Sequence, residues 1–263
     1  MKKYEFTGKF KMFLDKKLFQ IRALVSFGSV EAGEIGGYIE KEENLSHAGD
    51  AWVSGDARVY GNAGVSGDAR VYGNAGVSGN AEVYGDAWVS GDARVYGNAG
   101  VSGDARVYGN AGVSGNAEVY GDAWVSGDTW VYGNARVSGN AEVYGDAWVY
   151  GNAWVYGNAW VYGDARVYGN ARVSGDAEVY GDAWVYKSTH LLQVGAIGSR
   201  DGTTTFFRTK EKEIYVKCGC FEGSIEEFEK KVVTTHAGTK HEKTYKLAIE
   251  LAKAQIELEE EEK

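Results

Sequence analysis

The chain has 263 residues, no proline, two cysteines and a formal net charge of −9. Two cysteines give no disulfide framework, no apolar run is long enough to span a bilayer as a helix, and the acidic balance disfavours direct binding of nucleic acid or an anionic membrane. The start, Met1-Lys2-Lys3-Tyr4-Glu5-Phe6, lacks the long apolar stretch of a secretory signal, so a cytoplasmic protein is expected.

Residues 1–48 read as an N-terminal β-rich cap. Residues 4–10 and 18–27 have strand character, with Asp15-Lys16-Lys17 as the turn between them. Residues 33–39 turn on glycines and extend again, and a charged stretch leads into Asn44-Leu45-Ser46. The repeats of residues 49–186 require such a cap, because the open end of a stack of strands exposes apolar side chains and unpaired backbone groups.

Residues 49–186 are one six-residue unit repeated 23 times: Gly, Asp or Asn, Ala, a variable residue, Val, then Tyr or Ser. Thr129 is the single departure at the Ala position. Ala to Tyr/Ser makes a short strand whose side chains alternate, so Ala and Val share one face and the variable residue and Tyr/Ser the other. Gly-Asx is turn chemistry, since both residues tolerate a left-handed backbone. Four residues cannot bury a core alone, so the units must stack as a solenoid.

The column pattern fixes the coil length. Sorted by every third unit, one Asx column reads Asn62, Asn80, Asn98, Asn116, Asn134, Asn152 and Asn170, with no Asp, while the other two are mostly Asp. Sorting by every second unit mixes the types, which disfavours a 12-residue coil. Stacked Asn side chains can bond along a ladder, whereas stacked carboxylates repel. Residues 49–84 and 85–120 are identical, a duplication of two whole 18-residue coils that preserves every stack. The expected rod has between seven and eight coils and is roughly 37 Å long at about 4.8 Å per rung.

The interior is Val and Ala; the exterior is aromatic and acidic. All eight Trp occupy the variable position and 14 of the 18 Tyr follow Val, so both classes should point outward. The repeat carries seven Arg against four Glu and twelve Asp, which accounts for the whole net charge, because the flanks balance at 21 basic and 21 acidic residues. One column alternates Trp52, Arg70, Trp88, Arg106, Trp124, Glu142, Trp160, Glu178, so Arg can stack between indoles. Another gathers Trp130, Trp148 and Trp184 beside an unbroken run of Tyr132, Tyr150, Tyr168 and Tyr186. The earlier coils of that column offer Arg58, Gly76, Arg94 and Gly112 instead. Aligned Asp columns, such as Asp50, Asp68, Asp86, Asp104 and Asp122, leave structural calcium as a possibility beside hydrated turn carboxylates.

Residues 187–263 form a C-terminal α+β module with an acidic tail. Residues 191–197, 203–208 and 213–218 read as three strands, with turns at Arg200-Asp201-Gly202 and Lys210-Glu211-Lys212. Ser224 and Glu227 form a capping box for a helix to about Val233. A second helix from about Lys240 to Glu257 puts Tyr245, Ala248, Ile249, Ala252 and Ile256 on one face. The end, residues 257–263, is expected to fray. Cys218-Gly219-Cys220 with His236 and His241 admits a zinc reading, but two cysteines on one strand face directed into a small core explain the same residues.

The hexads, with Val and a small residue four positions on, resemble the hexapeptide pattern of left-handed parallel β-helices, which implies three hexads per coil. Gln20-Ile21-Arg22-Ala23-Leu24 and Gly36-Gly37-Tyr38-Ile39-Glu40-Lys41-Glu42-Glu43-Asn44-Leu45-Ser46, together with the Gly-Asx-Ala-x-Val units, resemble a family common in bacteriophages and prophages and labelled hexapeptide-repeat or polymer-forming. That resemblance implies a phage origin and a host cytoplasm. Acyltransferases of this fold use a histidine beside the coils and loops that hold coenzyme A; its carbonic anhydrases use three histidines on neighbouring coils. Here His47, His190, His236 and His241 all lie outside the hexads and no loop interrupts the units.

The expectation is therefore a mainly β protein, a left-handed parallel β-helix with an N-terminal β cap and a C-terminal α+β module, working without catalytic residues, metal or cofactor. Its binding surface is expected at Trp130, Trp148, Trp184, Tyr132, Tyr150, Tyr168 and Tyr186, facing a protein partner or another copy. Two alternatives stand: an acidic decoy that inhibits a host defence or nucleic-acid enzyme, and a ligand-binding or enzymatic site in the C-terminal module.

Overall fold

A computed structural model describes residues 2–259. Its centre is a parallel β-solenoid of about eight turns, built from one two-residue strand per hexad, from β4 (Trp52–Val53) to β26 (Trp184–Val185). Each strand pairs in parallel with the one 18 residues on, as in Val59 with Val77 and Val131 with Val149. Three faces result. Face 1 carries Trp52, Arg70, Trp88 and their successors; face 2 carries Arg58, Gly76, Arg94 through Trp184; face 3 carries Gly64, Glu82, Gly100 through Arg172.

The alternation in each unit explains the core. Every Ala and Val of the repeat is buried, and a fully buried Val stabilises by roughly 1.5–3 kcal/mol relative to an exposed one. Thr129, the exception, is equally buried, and its hydroxyl donates to the carbonyls of Ser126 and Gly145. The glycine heading each unit turns the corner with φ between 57° and 76°. At the corner between faces 2 and 3 each Asn amide donates to the next Asn along the chain, unbroken from Asn62 to Asn170, at 3.0–3.2 Å. Asn116→Ala removes two of these exposed bonds and is expected to cost about 1 kcal/mol, read as a lowered urea midpoint with an unchanged slope.

The first coil is closed by β1 (Tyr4–Phe13), β2 (Lys16–Ala23) and β3 (Ile35–Ile39), which continue face 2 by antiparallel pairing until β3 joins β5 (Arg58–Val59) in parallel. Tyr4, Leu18, Ile21 and Ile39 are buried there. Orphan carbonyls of the open end are taken up by side chains. The Lys3 amine donates to Gly49 and Ala51, the Tyr4 hydroxyl lies on the Glu42 and Leu45 carbonyls, and the Asn44 amide donates to Gly61 and Ala63. Burial pushes the Lys3 pKa down to about 8, with Asp50 and Asp68 opposing the shift.

Two expectations for this end are corrected. The hairpin turns at Leu14-Asp15, both with positive φ (46° and 61°), so β1 runs three residues further than expected and β2 begins at Lys16. The second strand stops at Ala23 instead of continuing to Phe27, because the chain folds over the solenoid end and sets the Phe27 ring edge-on to Trp52, 5.5 Å away. Trp52 is consequently only 4% exposed, against the expectation that all eight Trp point outward.

Beyond the last coil, β27 (Leu191–Ile197), β28 (Gly202–Arg208), β29 (Ile214–Cys218) and β30 (Phe221–Ser224) form an antiparallel sheet in sequence order. α1 (Ile225–His236) and α2 (Lys240–Gln255) complete the module. Four strands stand where three were expected: residues 221–224 are too polar and glycine-containing to announce a strand, and they pair only because Gly219 turns the chain with φ 58°. The capping box forms, with the Ser224 hydroxyl accepting from the Glu227 N–H and the Glu227 carboxylate from the Ser224 N–H. α1 runs on to His236, past Val233, and α2 ends at Gln255, before Glu257. Tyr245, Ala248, Ile249, Ala252 and Ile256 are buried together. Of the tail expected to fray, residues 260–263 lie outside the described residues, and Glu257 is ion-paired to Lys187 at 2.7 Å. No helix among the described residues is long and apolar enough to cross a membrane.

His190 marks the junction between solenoid and sheet. It is fully buried, with its ring edge-on to Tyr186 at 4.0 Å. Burial first, then the nearby Arg208 and Lys187, push its pKa down to about 4. An unfolded histidine titrates near 6.5, so between pH 6.5 and about 4 the unfolded chain binds a proton that the folded one refuses. His190 therefore leaves stability untouched above pH 6.5 and lowers it as pH falls through that window, by on the order of 2–3 kcal/mol. The difference between wild type and His190→Gln in unfolding free energy should consequently change from pH 7 to pH 4.5; a constant offset would mean that the histidine does not titrate against folding.

Candidate functional site

The 18-residue register that stacks the core also stacks what lies outside it. On face 2, Trp130 pairs with Trp148, Trp148 with Arg166 and Arg166 with Trp184. The Tyr rings two residues on keep the same spacing: Tyr132 to Tyr150 is 4.9 Å at 1°, Tyr150 to Tyr168 is 4.8 Å at 4°, and Tyr168 to Tyr186 is 5.2 Å at 31°. Trp148 and Trp184 each meet the Tyr of an earlier rung edge-on, Trp148 with Tyr132 at 6.1 Å and Trp184 with Tyr168 at 6.4 Å. Arg166 fills the gap in the Trp row, its guanidinium 5.1 Å from the Trp148 ring and 5.5 Å from that of Trp184. The ribbon begins where a small residue permits it. Trp130 lies over Gly112, where a Cβ would come within 2.6 Å of the indole.

These residues are held but not hidden. Trp148 is 38% exposed, and Trp130, Tyr132, Tyr150 and Tyr168 are half-buried. Desolvation pushes the Tyr132 and Tyr150 hydroxyls above their ordinary pKa, so they remain neutral donors at physiological pH. The two residues at the C-terminal end are placed differently. Tyr186 packs under Arg208, whose guanidinium is 5.3 Å from its ring, and the Lys210 amine stands 6.0 Å from Trp184. The ribbon that faces solvent therefore runs from Trp130 to Tyr150.

Face 1 carries a second tyrosine stack, which the sequence expectations did not include. Tyr144 lies 5.1 Å from Tyr162 at 3°, Tyr162 lies 5.7 Å from Tyr180 at 20°, and Trp160 stands edge-on to Tyr144. Sorting the Tyr/Ser position by every third unit reveals it, since that column reads Ser126, Tyr144, Tyr162, Tyr180. This stack is occupied. Tyr180 packs edge-on against Phe207 at 5.1 Å and its hydroxyl reaches the Val216 carbonyl, while the Tyr162 hydroxyl reaches Glu222. Lys217 bridges Glu178 and Glu222. Burial raises the Tyr162 and Tyr180 pKa strongly. Earlier on the same face Arg106 stacks between Trp88 and Trp124, 5.1 Å from each.

The remaining candidate residues are dispersed. Cys218 lies in β29 and bonds to the hydroxyls of Thr204 and Tyr245, whereas Cys220 is exposed in the turn, so the two cysteines do not share a buried strand face. They border a cleft of about 290 Å³ with Arg200, Lys231, His236 and Tyr245. Among the described residues no three His, Cys, Asp or Glu side chains converge as metal ligands. In the Asp column the Asp68 carboxylate accepts the Asp50 N–H at 2.9 Å. His47 accepts the Lys3 N–H, His190 is buried at the junction, and the rings of His236, at the end of α1, and His241, in the first turn of α2, are 5.8 Å apart.

Nine stretches of the repeat match a family model described as the YdcK beta solenoid repeat: residues 51–67, 63–79, 87–103, 93–109, 100–115, 130–145, 135–151, 147–163 and 165–181. The similarity supports a β-solenoid and is confined to the hexads. No curated protein matches the chain.

Proposed function

We propose that this is a non-enzymatic binding and assembly protein whose rigid rod presents the Trp130–Tyr150 ribbon to a protein surface. In this reading the solenoid is a left-handed hexapeptide β-helix of phage origin, working in the host cytoplasm. Residues 1–48 serve as its N-terminal cap, 49–186 as the rod and 187–263 as a C-terminal module. One observation carries the reading. The molecule uses one of its two tyrosine stacks, that of face 1, to seat a folded protein region, and it leaves the equivalent stack of face 2 facing solvent at Tyr132 and Tyr150. Planar rings locked by their neighbours lose little entropy on binding, and Trp and Tyr dominate interface hot spots.

The test is Trp148→Ser with Tyr150→Gly, small residues of the kind the repeat already tolerates on its outer faces. The double variant should keep its melting profile and lose about 2 kcal/mol or more of partner affinity, roughly thirtyfold. Unchanged binding with the fold intact would reduce the ribbon to a structural stack. The exposed Asp columns favour a second reading, an acidic decoy for a basic enzyme. Binding that collapses between low and high salt yet ignores the double variant would select it.

A further inference from the structure

Faces 2 and 3 share a relief that face 1 lacks. Over the first coils their exposed positions alternate between a charged residue with tyrosine and glycine with serine, a knob and then a hollow. On face 2, Arg58-Tyr60 and Arg94-Tyr96 flank a hollow at Gly76-Ser78 of about 430 Å³, which Phe13 and Leu14 of the β1–β2 hairpin also border. On face 3, Glu82-Tyr84 and Glu118-Tyr120 flank a hollow at Gly100-Ser102 of about 490 Å³. Nothing lies within 4 Å of where a Cβ would stand at Gly64, Gly76 or Gly100, so the hollows are open. Face 1 has no glycine at its variable position.

The two faces are out of step within each coil. Where face 2 has the Arg94 knob, face 3 has the Gly100 hollow; where face 3 has the Glu82 knob, face 2 has the Gly76 hollow. Two parallel rods at the same height therefore match face 2 to face 3 without axial slip. Arg94 enters a hollow flanked by Glu82 and Glu118 of the second copy, and Glu82 of that copy enters one flanked by Arg58 and Arg94. Charge and shape agree, whereas face 2 on face 2 would set Arg against Arg. Neither Arg94 nor Glu82 has an ion-pair partner within the chain among the described residues; Glu118 is held by Arg136 at 3.1 Å.

The corner between these faces adds a third agreement. It is the asparagine corner, the one without a carboxylate, so copies that meet around it bring no like charges together at their centre. We infer that the N-terminal half of the rod binds a second copy of this chain, in parallel and at the same height, face 2 of one against face 3 of the next. The contact is heterologous and turns about the asparagine corner, so its products are cyclic. The duplicated 36 residues double the number of knobs on both faces and of hollows on face 3; on face 2 the second hollow, at Gly112, is filled by the Trp130 indole. The ribbon lies further along the same face 2; the charge swaps leave it intact and the ribbon variant leaves Arg94 and Glu82 intact, so the two readings fail separately.

Sedimentation velocity of the full chain tests it. Wild type should self-associate with concentration. Arg94→Glu and Glu82→Arg should each weaken association by on the order of tenfold while leaving the circular dichroism melt in place. The combination Arg94→Glu/Glu82→Arg should restore association, because the swapped charges again face each other. A monomer at every concentration, single variants that associate like wild type, or a double variant no better than the singles would each overturn the inference. So would self-association that only Trp148→Ser/Tyr150→Gly abolishes, which would assign it to the ribbon instead.

Discussion

Gly127→Val is expected to destabilise the protein by about 3–5 kcal/mol, while Gly64→Ala changes it by less than about 0.5 kcal/mol. Both are glycines of the same repeat, one at the head of its unit and one at the variable position, and their environments are opposite. Gly127 turns a corner with φ 75°, and a Cβ there would stand 2.7 Å from the Gly145 carbonyl oxygen and 3.0 Å from its nitrogen. A left-handed backbone costs an L-residue roughly 1–2 kcal/mol, more when it is β-branched. The contact cannot relax cheaply either, because the obstacle is the backbone of the next coil, which the coil after that holds in turn. Gly64 is a face position with an ordinary φ and open space beyond its Cα. Urea unfolding of the two variants checks the contrast. Equal losses would mean that glycine is required for chain flexibility in general, and equal neutrality that the corners are loose.

Deleting residues 1–48 should be the more damaging change, expected to cause aggregation. The deletion removes Tyr4, Leu18, Ile21 and Ile39 from the end of the core, and with them the partner strand of Arg58–Val59. Fully burying residues of this size contributes about 1.5–3 kcal/mol each. The exposed edge also loses the Lys3 and Asn44 side chains, which satisfy its carbonyls, and an unpaired parallel edge recruits other chains. Size-exclusion chromatography after refolding gives the answer. A monomeric truncation with an unchanged melting profile would show that these residues do not close the solenoid.

The solenoid is legible in the sequence because one rule is applied 23 times. The Asn column alone sets the coil at 18 residues, and the pairing of Val59 with Val77 agrees with it. The flanks are less legible, each for a local reason. The turn at Leu14-Asp15 depends on two non-glycine residues with positive φ, which propensity assigns to Asp at best. The strand at Phe221–Ser224 exists through its pairing with β29, not through its composition. The ribbon's members can be named from spacing, but not that Tyr186 is taken up by Arg208 and His190. That cover comes from residues after the repeat, whose docking no periodicity encodes. The second tyrosine stack is different: its column is visible in the sequence, and it escapes notice only when the Tyr/Ser positions of a single face are compared.

The identical blocks at residues 49–84 and 85–120 give the rod an adjustable gauge length. One more copy of the 36-residue block inserts two complete turns, so everything downstream advances by about 9.6 Å along the axis, at about 4.8 Å per rung, and returns to the same angular heading. The separation between the two ends can thus be reset in fixed increments while their mutual orientation is conserved. An insertion of one hexad or two would instead rotate one end against the other by one or two thirds of a turn. Tandem duplication in the coding sequence is therefore a way to change the reach of this molecule without redesigning any surface on it.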